Sequence, residues 1–185
     1  ESRRLFTDAT QLQFSNSMPT VSPLGGRIAF VSNRSGHMRI WVSKLDGSDA
    51  KLASPPGADI HESLKLPIEQ KVPAWSPDGK WITYHSNQSG EWDIYITDEK
   101  GENERRVIMT MGDSARLRWS PDGSQVAFTM GPSEYELQIY VMDTEAFLAP
   151  RPAWEIDNAR QLTSVDAGGS NFTHNWSADG TQIIF

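Results

Sequence analysis

The sequence predicts an all-β protein built from repeated four-stranded antiparallel sheets, and two observations support that prediction. The turn AWSPDGKW, which begins at Ala74, recurs as RWSPDGSQ from Arg118 and NWSADGTQ from Asn175, with a weaker copy, TVSPLGGR, from Thr20. Successive copies are separated by the same strand-like runs in the same order, and helical periodicity is confined to 144–148. Four strands repeated every ~40–45 residues are typical of β-propeller blades.

The repeated turn has a mechanical explanation. In Ser-Pro-Asp-Gly, Pro presets φ at the first central position, Asp suits the second, and Gly accepts the positive φ that reverses the chain. The run WITYH, which begins at Trp81, is rich in β-branched and aromatic residues, as strands are. Each copy of the turn therefore predicts a hairpin between the first and second strands of a unit.

The repeat also predicts how the chain is organised into blades. The fourth strand of each unit is expected near Lys51, Arg106 and Gln161. We expect one propeller over 1–185, with blades at about 16–53, 71–110 and 115–164, a partial blade at 171–185 and a separate N-terminal strand at 3–6. Residues 54–70 and 143–157 are insertions that lengthen two of the repeats.

The number of strands does not determine how the ring of blades is completed. Both ends of the chain offer strands to one composite blade, which would lack its third strand. Three explanations remain: the chain is a piece of a larger propeller, it pairs with copies of itself to complete a ring, or it closes alone as a four-bladed ring. The first is favoured, and a homo-oligomer is kept as the second.

Composition and charge exclude several classes of function. The net charge is −7 and the basic residues are scattered, whereas a nucleic-acid binder needs a concentrated positive face. No apolar run approaches the ~20 residues of a membrane helix, so we expect no membrane insertion. The chain has no cysteine, which excludes disulfides, thiolate chemistry and cysteine zinc sites. It starts without Met or a targeting segment, which suggests a processed or cut chain.

Catalytic motifs are also missing from the sequence. The nucleophile-elbow pattern G-x-S-x-G and the Gly-rich phosphate loops do not occur. The four histidines are not at metal-ligand spacing. The aspartates of the repeated turn are needed by the turn itself. We therefore predict no catalytic residue, no metal and no cofactor. The sequence favours a protein that is not an enzyme, but it does not decide the question.

The repeat resembles that of a known protein family. The pattern P-x-W-S-P-D-G-K-x-I-x-Y-x-S-N-x-S-G-x-x-x-I-Y, which runs from Pro73 to Tyr95, is similar to the WD40-like (PD40) repeat of TolB-type propellers. That repeat also builds the propellers of prolyl-oligopeptidase-type peptidases and oligogalacturonide lyases. The resemblance implies a non-catalytic scaffold that binds a protein or a small ligand at the propeller face. The alternative is the propeller portion of a larger enzyme of those types.

The resemblance also implies a compartment, the periplasm or the extracellular space, with the cytoplasm left open. Propellers of this kind usually bind ligands on the rim formed by the loops that join successive blades. The candidate ligand-binding residues on that rim are Asn16, Ser17, His61, Glu62, Asp113, Ser114, Asn171 and His174.

Simpler readings compete with some of these candidates. His174 replaces Pro19 and Pro73 of the repeat, and a structural or channel-lining role is favoured over metal binding. A solvated loop is the favoured reading of His61 and Glu62. The second insertion, with its apolar Phe147, either caps a blade edge or meets a partner, and capping is favoured.

Overall fold

The computed structural model describes residues 14–54, 64–109, 116–150, 155–164 and 173–185. Within them the chain forms three four-stranded sheets and one two-stranded sheet. Neighbouring strands are antiparallel throughout, and their spatial order follows the sequence. The all-β fold class is therefore confirmed. The strand predicted at 3–6 lies outside the described residues.

The bounds of the elements are as follows. The first sheet contains β1 (Asn16–Val21), β2 (Arg27–Ser32), β3 (Arg39–Lys44) and β4 (Lys51–Leu52). The second contains β5 (Gln70–Trp75), β6 (Ile82–Ser86), β7 (Asp93–Thr97) and β8 (Arg105–Ile108). The third contains β9 (Leu117–Trp119), β10 (Gln125–Met130), β11 (Gln138–Asp143) and β12 (Arg160–Gln161). The fourth contains β13 (Asn175–Trp176) and β14 (Ile183–Ile184). The helix α1 (Thr144–Leu148) follows β11, and a 3₁₀ turn covers Glu134–Glu136.

At two of the junctions between sheets, the first strand of one sheet contacts the first strand of its neighbour. Strand β5 packs against β1, β2 and β3 of the preceding sheet, and β13 contacts β9. In sheets arranged radially, successive blades approach each other most closely at their innermost strands. We therefore call β1, β5, β9 and β13 the inner strands.

The repeated turn is held by a serine hydroxyl that makes two hydrogen bonds. Ser76 Oγ donates to Asp78 Oδ1 at 2.5 Å and accepts from the Trp81 backbone N–H at 3.0 Å. The Gly79 N–H donates to the Ser76 carbonyl at 2.9 Å, and Gly79 has φ +70°. Ser120 and Ser177 make the same bonds in their turns. The positive φ predicted for the glycine of this turn is thus present in the structure, and the serine hydrogen bonds are a further feature of the turn.

The asparagines of the two SNxSG loops form hydrogen bonds with the chain that precedes the inner strands. Asn87 Oδ1 accepts from the Glu69 backbone N–H at 2.7 Å, and Asn87 Nδ2 donates to the Pro67 carbonyl at 3.0 Å. Asn33 Oδ1 likewise accepts from the Ser15 N–H at 2.8 Å. Each loop therefore fixes the chain just before the inner strand of its own sheet.

Apolar side chains fill the spaces between the sheets. Between the first and second sheets the core includes Ile40, Val42 and the fully buried Tyr84. Between the second and third sheets it includes Phe128 and Phe147, which is contributed by α1. The Phe147 ring meets the Trp119 ring edge-on, with centroids 5.5 Å apart. The insertion helix thus caps the junction between two sheets, as the sequence suggested.

Tryptophans at one repeat position connect neighbouring sheets. Trp75 Nε1 donates to the Thr20 carbonyl of the preceding sheet at 3.2 Å, and Trp176 Nε1 donates to the Arg118 carbonyl at 3.2 Å. Trp119 occupies the same position, yet its buried Nε1 has no hydrogen-bond partner among the described residues. Two of the three indoles therefore add a polar link to their apolar packing.

This difference predicts unequal costs for the same substitution. Trp75→Phe removes an indole N–H that donates to the Thr20 carbonyl, whereas Trp119→Phe removes an indole N–H that has no acceptor among the described residues. We expect Trp75→Phe to lower the free energy of unfolding by about 1 kcal/mol more than Trp119→Phe. Urea denaturation of both variants measures the difference. Equal costs, or a larger cost at Trp119, would show that the indole hydrogen bond contributes nothing.

Candidate functional site

Three of the eight residues predicted as ligand-binding lie in the described part of the chain: Asn16, Ser17 and His174. The other five, His61, Glu62, Asp113, Ser114 and Asn171, lie outside the described residues, and they stay predictions.

Asn16 and Ser17 begin the first inner strand. Asn16 Nδ2 donates to the Phe14 carbonyl at 3.3 Å, and Asn16 Oδ1 accepts from Arg34 Nη2 at 3.3 Å. The Arg34 guanidinium lies over the rings of Phe30 and Trp41. Asn16 therefore orients a loop arginine within the first sheet. Ser17 is exposed.

His174 links the fourth sheet to the third. Its side chain is buried, and Nε2 donates to the Ala127 carbonyl of β10 at 3.1 Å. Nδ1 is buried and has no partner among the described residues. Burial lowers the pKa of His174, the hydrogen bond to Ala127 opposes that change, and Arg118 and Arg116 lower the pKa further. His174 is thus a neutral side chain between two sheets, with cations beside it.

A second buried histidine has the same neighbours. His85 of β6 is 3% exposed and pairs across the sheet with Lys71 of β5. Burial lowers the pKa of His85 to about 3, and the charges of Lys71, Arg116 and Arg118 act in the same direction. The two arginines therefore act on histidines of two different sheets, the second and the fourth.

These residues define a surface on the inner strands, which we call the cationic inner surface: Lys71, Arg116 and Arg118, with His85 and His174 buried beside them. Arg116 is exposed and Arg118 is half-buried. Burial and the nearby Arg116 lower the pKa of Arg118. Lys71 Nζ lies 3.7 Å from the centroid of the Trp92 ring. The surface thus gathers Lys71 of β5, Arg118 of β9 and Arg116, which directly precedes β9.

The arginines of this surface have no carboxylate partner within the described ranges. The Arg118 guanidinium donates to the Leu117 carbonyl at 3.0 Å, and the Arg116 backbone N–H donates to Thr129 Oγ1 at 3.0 Å. Elsewhere the described cations Arg27, Lys51, Lys80 and Arg106 pair with acidic side chains. In a chain of net charge −7, this local excess of positive charge is unusual.

The inner strands also carry backbone strain. Met18 of β1 and Val72 of β5 have φ +51° and +55°, and each lies at a break in the pairing with the second strand. Val72 is β-branched, and such residues rarely adopt a positive φ. The Val72 N–H contacts Met18 Sδ at 3.3 Å, so the two bulges meet. Bulges of this kind re-aim side chains near functional sites.

In the third sheet, Arg116 takes the repeat position of Met18 and Val72, because it lies three residues before Trp119 as Val72 does before Trp75. Arg118 takes the position of Ala74. Sequence reasoning missed both arginines. The sequence feature that could have identified them is the replacement of small or apolar residues by arginine at two positions of the third repeat.

The described residues contain no group of three or more His, Cys, Asp or Glu side chains that could hold a metal ion. None of their helices has the length and apolar character needed to span a membrane.

Comparison with known proteins places the chain among propellers. The TolB beta propeller domain family (PD40) matches residues 58–185. The Tol-Pal system protein TolB of Desulfosudis oleivorans is 32% identical over 116 residues, which are 63% of this chain and 24% of that protein. The protein TolB homolog of Chlorobium chlorochromatii is 33% identical over 164 residues, 89% of this chain and 32% of that protein. The chain thus spans about a quarter to a third of these relatives.

Solved structures show the same fold at low identity. TolB from Acinetobacter baumannii superposes with a TM-score of 0.62 and 20% identity, over 91% of this chain and 36% of that one. An oligogalacturonate lyase in complex with manganese gives a TM-score of 0.61 and 16% identity, over 92% of this chain and 44% of that one. The repeat pattern, the sheets and the family match agree: this chain belongs to the PD40 family of TolB beta propeller domains.

Proposed function

We propose that this chain is a non-catalytic TolB-like β-propeller module that binds a protein partner through the cationic inner surface. One observation supports this most: Arg118 of the inner strand β9 and Arg116, which directly precedes that strand, have no carboxylate partner among the described residues. The lack of any catalytic motif in the sequence favours a binding role over a catalytic one.

The chemistry of this surface selects an acidic partner. Guanidinium groups bind carboxylates through charge-assisted hydrogen bonds, which are shorter and stronger than neutral ones. The buried histidines beside them are neutral at physiological pH, so the cations carry the positive charge of the surface. Acidic residues of a partner would then pair with Arg116 and Arg118, and Lys71 would add attraction at longer range.

Location and assembly are part of the proposal. Resemblance to TolB-type proteins supports the periplasm or the extracellular space. Completion of the ring by a second copy of the chain is the proposed route to a homo-oligomer, and light scattering over a range of concentrations tests it. A concentration-independent monomer mass would contradict that route.

A short acidic peptide tests the binding surface. We expect a capped glutamate peptide of about six residues to bind the chain, as measured by calorimetry at low salt, and the glutamine peptide of equal length not to bind. The double variant Arg116→Gln/Arg118→Gln should weaken binding at least about tenfold, because each charged hydrogen bond contributes about 1.5–3 kcal/mol.

A matched control separates the site from net charge. Lys80→Gln/Arg160→Gln removes the same number of charges from exposed positions elsewhere. The control variant should bind the glutamate peptide nearly as well as the wild-type protein. If both double variants lose affinity equally, the attraction is non-specific and the proposed surface is wrong.

A second candidate function is the propeller portion of a larger enzyme. It is favoured by the chain's short span relative to its relatives and by its structural likeness to an oligogalacturonate lyase. The full-length protein distinguishes the two: turnover of oligogalacturonate or of a peptide substrate would support this candidate, and its absence would count against it.

A further inference from the structure

His174 lies beside Arg118, and contacts with the backbone of the third sheet fix that position. His174 Nε2 donates to the Ala127 carbonyl at 3.1 Å, and Ala127 pairs with Arg118 across β9 and β10. Two residues further along the chain, Trp176 Nε1 donates to the Arg118 carbonyl at 3.2 Å. The imidazole is therefore held next to a cation that has no carboxylate partner among the described residues.

The charged groups that act on His174 are both cations. Arg118 of β9 and Arg116, which directly precedes β9, lower the pKa of His174, and burial acts in the same direction. The other strands at this position are β10 and β13, and neither contains an ionisable residue. The charge state of His174 therefore depends on whether the two arginines are paired with an anion.

One nitrogen of the His174 ring is able to take up a proton. Nε2 carries the hydrogen that the Ala127 carbonyl accepts, so Nδ1 is the basic nitrogen of the neutral ring. Nδ1 is buried and has no hydrogen-bond partner within the described ranges. A ligand on the surface would not contact this atom. Its effect on the ring would be electrostatic, through surroundings of lower dielectric constant than water.

We propose that the binding of an acidic partner segment to Arg116 and Arg118 is coupled to the uptake of a proton from solvent at His174 Nδ1, so that the segment binds more tightly below neutral pH. This inference rests on the proposed function, because the acidic segment is its ligand. Carboxylates that pair with the arginines offset the repulsion that keeps the ring neutral. By linkage, a ligand that favours the protonated ring is bound more tightly by it.

His85 should not take part in this coupling. Burial is the main reason why its pKa is about 3, and Lys71 is the first of the cations that lower the pKa further. Pairing of Arg116 and Arg118 with a ligand leaves both effects in place. We therefore expect His85 to stay neutral when the acidic segment binds, and His174 to be the group that takes up the proton.

The test is a calorimetric titration of the chain with a capped cysteic acid hexapeptide, whose sulfonates stay ionised throughout, between about pH 7.5 and about pH 5.5. We expect the affinity to rise at least about threefold as the pH falls over this range. Titrations in buffers of different ionisation enthalpy should show uptake of part of a proton per bound peptide. His174→Gln should abolish the rise in affinity and the proton uptake.

A matched control isolates His174 from the other titrating groups. His37→Gln removes a histidine from the loop between β2 and β3 of the first sheet, and it should retain the rise in affinity and the proton uptake. Glu104, which has a pKa of about 7, is present in the wild-type protein and in both variants. Differences between the three proteins therefore report His174 and not Glu104.

NMR of the imidazole rings gives a second readout that needs no variant. The His174 ring should titrate at a higher pH with the peptide than without it, and the His85 ring should stay neutral. Failure of the peptide to bind at any pH would contradict the proposed function itself. Binding of unchanged affinity across the range, or an unmoved His174 titration in the bound state, would overturn this inference alone.

Discussion

Replacing His85 by valine is expected to remove about 2 kcal/mol of acid destabilisation between about pH 7.5 and pH 5. His85 has a native pKa of about 3 and an ordinary value of 6.5 when unfolded. Below pH 6.5 the unfolded chain therefore binds a proton that the native chain refuses, and stability is lost as the pH falls towards 3. Valine is the natural replacement, because Val31 occupies the equivalent position in the first sheet.

The measurement is the free energy of unfolding in urea at several pH values, for the wild-type protein and for His85→Val. Any cavity left by valine lowers stability equally at all pH values, so only the difference in slope matters. Parallel pH profiles of the two proteins would show that His85 is not a buried neutral group and would contradict this account of its surroundings.

The half-buried Glu104 has the opposite effect on stability over the same pH range. Burial raises the pKa of Glu104 to about 7, against the attraction of Arg39, and Tyr84 Oη donates to its carboxylate. The native chain therefore holds a proton on Glu104 that the unfolded chain releases above about pH 4.5, so stability falls as the pH rises from 4.5 to 7. Glu104→Gln should remove that loss, and the remaining acid destabilisation should then be steeper than in the wild-type protein.

Truncation of Phe147 is expected to cost about 3–5 kcal/mol of stability. Its ring is fully buried between the second and third sheets and packs edge-on against Trp119. Because domains of this size are stable by only about 5–15 kcal/mol, Phe147→Ala should be severely destabilised. Phe147→Leu, which fills most of the space, should lose less and remain folded for comparison.

Denaturation of these two variants beside Leu148→Ala tests whether the insertion is part of the fold. Leu148 lies next to Phe147 but is only partly buried, so its truncation should cost clearly less. If Phe147→Ala unfolds at the same urea concentration as the wild-type protein, α1 does not cap the junction between the sheets.

The fold could be predicted from the sequence because its signals are local. The Ser-Pro-Asp-Gly turn places its serine, aspartate and glycine within hydrogen-bonding distance by itself, as Ser76 and Asp78 show. The strand runs that follow alternate or carry β-branched residues, and even the short helix at 144–148 was visible. Local sequence signals that recur at regular spacing are therefore sufficient to predict the fold of a repeat protein.

The candidate site could be predicted only in part because it depends on packing between sheets. Lys71 lies in β5, Arg116 directly precedes β9 and His174 directly precedes β13, and no local spacing relates them. His174 was singled out since it breaks the repeat. Arg116 and Arg118 break it equally, but their common effect on His85 and His174 appears only when the inner strands are placed side by side. His61, Glu62, Asp113, Ser114 and Asn171 remain predictions.

The central claim is that Arg116 and Arg118 form the binding surface of this propeller, and side-chain NMR tests it most directly. The Nε–Hε resonances of the arginines are followed while the glutamate peptide is added at low salt. The account predicts shifts at Arg116 and Arg118, with Arg27 and Arg160 unmoved. Shifts spread evenly over all arginines, or confined to arginines outside the inner strands, would contradict it.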